Sequence, residues 1–261
     1  MLTLCILGAA VGMLMGLTGA GGGILAVPLL VFFAGMAVTT AAPIALTAVA
    51  VTAGIGALAG LRQGVLRYRA ACVMAGVGVA MTPLGLWAAH QLNDRMLMLV
   101  FALLLLLLVA TESLCQKKPH PKAERQACVL DPLTGRLRWT SRCSLSLMSA
   151  GAAAGFLSGL VGVGGGFVIV PALGRLSNLD MRAVIPTSLA VIALVSLSSL
   201  GSALLWGSLD ILLALPFIVG AMLGMLVGRR LAGYLAAASL KRSFALVAAA
   251  VAVMMAVRAM S

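Results

Sequence analysis

Gly16-Leu17-Thr18-Gly19-Ala20-Gly21-Gly22-Gly23, followed by Val27-Pro28, decides the fold of this chain because it occurs twice. Its copy is Gly159-Leu160-Val161-Gly162-Val163-Gly164-Gly165-Gly166, followed by Val170-Pro171, at an offset of 143 residues. The register then holds without a gap: Pro43 falls on Pro186, Leu46 on Leu189, Gly64 on Gly207, Leu66 on Leu209 and Gly85 on Gly228. Such self-similarity marks a duplicated unit. Each copy also interrupts an apolar stretch too long for one membrane helix. As a helix, residues 5–35 would run about 46 Å, against a hydrocarbon core of about 30 Å. Consecutive glycines are poor helix formers and unwind the backbone there. Unwound backbone survives in lipid only where its freed amides meet protein, water or a ligand.

Lipid is the solvent this composition asks for. Of the 261 residues, 62% are hydrophobic and 9% charged, where soluble domains have roughly 45–50% and about 25%. Mean hydropathy is +1.16. A water-soluble enzyme and a disordered chain are excluded, because too few polar side chains are present to cover a soluble surface. The net charge of +12 lies in short clusters between apolar blocks without aromatic interleaving, so it reads as a topology signal and not as a nucleic-acid interface. Charge-free stretches cover residues 1–61, 70–93, 96–111, 143–174, 183–209, 211–228 and 243–257. Continuous runs such as Leu103 to Leu108 are helical; a membrane β-barrel would alternate.

The expected architecture is an all-α polytopic membrane protein of two inverted repeats, each a Gly-broken re-entrant segment plus three transmembrane helices, with 7–8 apolar segments in all. Residues 1–111 form the first membrane repeat, 112–142 a basic linker and 143–261 the second repeat. Re-entrance follows from charge counting. Four full crossings per half would divide the Lys and Arg residues 11 to 7. Returning the first segment of each half to its starting side gathers Arg62, Arg67, Arg69, Lys117, Lys118, Lys122, Arg125, Arg136, Arg138, Arg142, Arg175, Arg182, Arg229, Arg230, Lys241 and Arg242 on one face. Only Arg95 and Arg258 stay on the other, a 16 to 2 split. The positive-inside rule then places the linker in the cytoplasm and both termini in the periplasm. An odd number of crossings per unit makes the repeats inverted; a parallel four-plus-four arrangement is the alternative. The N-terminus lacks the basic region of a secretory signal and is expected to be retained.

Inverted repeats bring the two interruptions together near the midplane, where bare amides and helix N-termini favour an anion. The candidate substrate-binding residues are Gly19, Gly21, Gly22 and Gly23 with Gly162, Gly164, Gly165 and Gly166. Candidate hydroxyls are Thr18, Thr47, Ser158, Thr187 and Ser188. Pro28, Pro43, Pro171 and Pro186 are expected helix breaks. The simpler reading of glycine here is close helix packing, and of hydroxyls back-bonding within their own helix. A dinucleotide site is rejected because Ile24 or Phe167 occupies the third glycine position and no strand pattern surrounds it. A phosphate loop fails for want of a lysine.

No catalytic residue is expected: the spans hold no nucleophile, base or metal constellation. All six acids, Asp94, Glu112, Glu124, Asp131, Asp180 and Asp210, lie at block ends, so ion coupling is poorly signalled. His90 and Asp94 read as an interfacial pair. Cys115, Cys128 and Cys143, in or near a linker placed in a reducing compartment, are expected to be unpaired, without a metal or any other cofactor. Trp87, Trp139 and Trp206 suit interfacial anchoring.

Together the two glycine motifs, Pro186-Thr187-Ser188 and Gly207-Ser208-Leu209-Asp210 resemble the TauE/SafE, or sulfite exporter, family of membrane proteins. The resemblance covers nearly the whole chain outside the linker. It implies a multi-pass protein of the bacterial inner membrane that exports small anions such as sulfite, sulfoacetate or another organosulfonate. The first half departs from the pattern, with Ile44-Ala45 where the second has Thr187-Ser188. The expected partners are a small anionic substrate and the bilayer, with a homo-oligomer left open. The expected mechanism is alternating access, and a passive channel or a carrier of a non-sulfur anion is the rival.

Overall fold

A computed structural model describes residues 1–18, 22–116, 128, 139–205, 211–231 and 248–255. Nine helices are delimited: α1 Leu2–Thr18, α2 Gly22–Phe33, α3 Val38–Arg62, α4 Tyr68–Gln91, α5 Asp94–Gln116, α6 Ser141–Val161, α7 Gly166–Leu176, α8 Met181–Leu205 and α9 Ile211–Leu231. Residues 248–255 are helical too. The sequence offset is visible in the boundaries, since α3 and α8 are both 25 residues long and differ by 143 at each end. Among the described residues, five helical segments are long and apolar enough to cross a bilayer: α3, α4, α6, and the stretches Met181–Gly201 and Leu212–Leu231. Large apolar side chains such as Leu2, Trp87, Leu103, Leu145 and Leu212 face outward. In water that would be a liability; against lipid it is the favoured surface.

Close backbone approach holds the bundle together. Lipid tails are as apolar as leucine, so association inside a bilayer comes from packing rather than from water exclusion. Gly8, Gly12 and Gly16 of α1 lie against Phe217, Ala221 and Met225 of α9, and α9 answers with Gly220, Gly224 and Gly228 against Cys5, Ala9 and Met13. A Cβ on Gly12 would fall on the Ala221 carbonyl oxygen. The second repeat reproduces the contact residue for residue. Gly151, Gly155 and Gly159 of α6 lie against Met74, Gly78 and Thr82 of α4. Both pairs run parallel, as the ascending order of partners requires. Gly16 and Gly159, which open the two quoted motifs, therefore belong to these seams. The two seams are bridged by α3 and α8, which cross antiparallel: Gly60 packs on Pro186 and Gly56 on Leu189.

The chain reverses at each glycine motif. Gly22 lies against Val11 and Met15, and Gly165 against Ala154, each reaching back 11 positions, a separation of about 16 Å were the helix continuous. α2 and α7 thus fold back along α1 and α6. With 12 and 11 residues they extend only about 16–18 Å. The end of α7 returns to the start of α6, and Cys128 ties them together. Its amide donates to the Leu176 carbonyl at 2.8 Å, and its sulfur is bonded to Cys143. The expectation of unpaired thiols is overturned at these two positions, which lie 15 residues apart in sequence and become neighbours only because α7 comes back.

A second correction concerns the prolines. Pro28, Pro43, Pro171 and Pro186 all lie inside α2, α3, α7 and α8, so none of them ends a helix. Membrane helices absorb proline because neighbours and local adjustments meet the freed carbonyl. In the second repeat the break falls on the glycines alone. Gly162, Gly164 and Gly165 have φ of 74°, 77° and 65°, a region L side chains rarely enter.

Candidate functional site

The α6–α7 turn is built from the last turn of α6 outward. The Gly162 amide donates to the Ser158 carbonyl at 2.9 Å, closing α6 with a left-handed residue. After it, Val163 and Gly164 carry the chain to Gly165, whose carbonyl accepts from the Val168 amide at 3.1 Å and starts α7. The first amides of α7 have no carbonyl one turn back, so the helix presents bare donors and the positive end of its dipole to this turn. The start of α2 presents the same from the other repeat. Gly19 and Gly21 lie outside the described residues.

The start of α2 and the α6–α7 turn meet at the crossing of α3 and α8. A Cβ on Gly23 would stand 3.3 Å from Val49 Cγ2 and 3.4 Å from the Val163 carbonyl oxygen. One on Gly164 would stand 2.6 Å from Ser196 Oγ, 2.8 Å from Val49 Cγ1 and 3.3 Å from Ile192 Cγ2. Val49 and Ile192 are equivalent under the 143-residue offset and lie near the middles of their helices. The start of α2 and the α6–α7 turn are thus brought together about the centre of the bundle, where Gly23, Val49, Gly164 and Ile192 are all buried.

Individual candidates divide into three groups. Gly23 and Gly164 face this centre. Gly22, Gly162 and Gly165 instead pack against α1, Ala42 and α6, and Gly166 is buried at the start of α7. Among the hydroxyls, Ser158 alone is beside the turn. It reaches Ser199 Oγ at 3.1 Å, and Ser199 donates onward to the Val195 carbonyl at 3.0 Å. Thr18, Thr47, Thr187 and Ser188 donate to Leu14, Pro43, Ala183 and Ile185 of their own helices. Thr187 also accepts from the Arg67 amide at 3.1 Å, which joins α8 to the α3–α4 connection. Of the expected interfacial pair, His90 approaches the Leu86 carbonyl at 2.8 Å, and the Asp94 side chain lies outside the described residues.

Sequence reasoning passed over Ser196. Its hydroxyl is fully buried and has no hydrogen-bond partner, whereas every other hydroxyl named above is paired. Leaving such a group unpaired costs about 1–3 kcal/mol. Ser196 was invisible in sequence because a single serine in an apolar helix looks like any other; only the approach of Gly164 distinguishes it. Among the described residues, all fully buried polar side chains are serine or threonine, and none is charged. Among the described residues, the positive character at the centre therefore comes from backbone dipoles.

Residues 4–255 match the sequence profile of the family described as Sulfite exporter TauE/SafE. A protein named "Probable membrane transporter protein" from Xylella fastidiosa strain Temecula1 is 32% identical over 253 residues, covering 94% of this chain and 91% of the relative. Its counterpart in strain 9a5c, with the same name, is 33% identical over 250 residues with the same coverage. No solved structure matches. With a duplicated helical membrane architecture and a family profile spanning nearly its whole length, the chain belongs to the TauE/SafE family.

Proposed function

We propose that this protein transports small anions across the bacterial inner membrane by alternating access of two inverted repeats about the Gly23–Gly164 centre. The observation that carries the reading is the meeting of two helix N-termini, from α2 and α7, at a buried point lined by bare glycine and free of buried charge. Half-helix ends near the midplane are how membrane carriers favour an anionic group without a cationic side chain. The fold-back of α2 on α1 and of α7 on α6 supports re-entrant segments, which leave three crossings per repeat and hence opposite orientations. The relatives' name supports a transporter, and the sulfur-anion substrate and outward direction follow the family's description. An enzyme would need a reactive constellation that the centre does not supply.

Two observations pull against each other on orientation. The 16 to 2 split of cations places the linker face in the cytoplasm. The Cys128–Cys143 bond lies on that same face, and disulfides persist in oxidising compartments. We propose the cytoplasmic assignment, because the charge asymmetry involves nearly every cation in the chain. A periplasm-dependent phosphatase fused after residue 261 should then be active, and one inserted in the linker inactive. The reverse pattern would invert the molecule and give the disulfide its ordinary surroundings.

Counterflow in proteoliposomes tests the function. Vesicles loaded with sulfite, sulfoacetate, taurine, sulfate or chloride are followed for uptake of a labelled sulfur anion. Saturable uptake accelerated by one load is expected. Uptake that no load accelerates and that does not saturate would mean a channel; no uptake by folded protein would mean another substrate class.

A further inference from the structure

We propose that Ser196 is a substrate ligand, donating its hydroxyl to an oxygen of the anion, and that it makes the central site one-sided. The inference rests on the anion-carrier reading and adds to it the residue that holds the substrate and the half of the molecule it belongs to.

Ser196 Oγ is sealed from water, unpaired, and aimed at the Gly164 turn, 2.6 Å from where a Cβ would stand. Helical serines ordinarily relieve such a cost by bonding to their own helix, as Ser199 does one turn later. Ser196 holds its proton in reserve at the place where the bare amides of α7 begin. A hydroxyl and successive amides around a turn of left-handed glycines together form a concave donor set suited to an oxyanion. In the closed conformation Gly164 covers the hydroxyl; movement of the α6–α7 hairpin away from α8 would open the space the anion needs.

The opposite half lacks this lining. Under the 143-residue offset the equivalents of Ser158, Ser196 and Ser199 are Met15, Ala53 and Gly56. Thr52, the one buried hydroxyl nearby on α3, is spent on the Ala48 carbonyl at 2.7 Å and the Met15 sulfur at 3.3 Å. With Val49 between Gly23 and Gly164, the described residues of α3 in the first repeat offer mainly methyl groups. An oxyanion carrying one apolar substituent fits such a site: its oxygens toward Ser196 and Gly164, its substituent toward Val49 and Ala53. A symmetric, fully hydrated dianion fits it poorly.

The test measures counterflow KM for sulfite, with methanesulfonate and sulfate as competitors, in wild-type and S196A proteins, alongside their thermal unfolding in detergent. S196A is expected to raise KM at least tenfold while unfolding no earlier than wild type, because it removes an unsatisfied group. S196C, which keeps a weak donor, should recover part of the loss. T82A removes a buried hydroxyl paired within α4 and should leave KM unchanged. Methanesulfonate should compete better than sulfate. Wild-type KM in S196A, or stronger competition by sulfate, would overturn the inference while leaving the carrier reading intact. Absence of exchange by folded wild-type protein with any of the three anions would overturn both.

Discussion

The two repeats share a skeleton and differ in lining. Where backbones touch, they agree position by position: Gly8, Gly12 and Gly16 meet α9 as Gly151, Gly155 and Gly159 meet α4. Where the second repeat carries hydroxyls they part, with Ser158, Ser196 and Ser199 against Met15, Ala53 and Gly56 of the first. Packing between backbones tolerates no added atom at the α1 and α6 glycines, and both copies retain these, whereas Val77 and Met81 stand where α9 has Gly220 and Gly224. The lining carries no such steric constraint, and the hydroxyls are concentrated in one half. Shape is thus specified twice and chemistry once.

The strongest way to break this comparison is at the seams. Gly12→Leu and Gly155→Leu each place a side chain on a facing carbonyl, well beyond the ordinary overpacking of about 1–3 kcal/mol. Both variants should fail to yield monodisperse protein on size exclusion. Tolerance of one alone would show that the two seams are not equivalent. Next in size is Cys128→Ser. It removes the bond that ties the segment before α6 to the start of that helix. Opening this 15-residue loop should lower stability by about 3 kcal/mol in non-reducing thermal unfolding and leave the wild type unmatched unless reductant is added. An unchanged midpoint would mean that the thiols are not joined in the folded protein.

Smaller effects sharpen the contrast at the centre. Gly164→Ala forces a left-handed φ of 77° on a residue with a Cβ and crowds Ser196, so a loss of about 1–3 kcal/mol is expected. Gly23→Ala meets Val49 and Val163 at 3.3–3.4 Å inside a helix that prefers alanine, and should change stability by less than about 1 kcal/mol. Equal losses at both positions would contradict the difference between the turns. Leucine at Gly22 or Gly165 is a poorer probe of the site, because both glycines pack on the backbone of the preceding helix.

Much of this was legible in the sequence. The duplicated glycine motif gave the offset that later appeared in the ends of α3 and α8, and the clustering of Lys and Arg is the ground on which re-entrant first segments are expected. The seams were not read beforehand: Gly8, Gly12 and Gly16 and Gly220, Gly224 and Gly228 recur every four residues, but glycine spacing alone does not say which helices meet. The prolines misled because in-helix proline and helix-ending proline look alike without the neighbours that satisfy the freed carbonyl. Cys128 and Cys143 could not be paired beforehand, since their proximity depends on the return of α7. Ser196 required knowing which serine faces the turn.

We propose that the transported anion binds where the start of α2 and the α6–α7 turn meet at the α3–α8 crossing. The most direct test is anion counterflow by Gly164→Ala, reconstituted after its fold is verified, beside wild type. The account predicts saturable, load-accelerated exchange by wild type and its loss, by tenfold or more in kcat/KM, in the folded variant. Exchange at the wild-type rate by folded Gly164→Ala would contradict it and place the pathway elsewhere in the bundle.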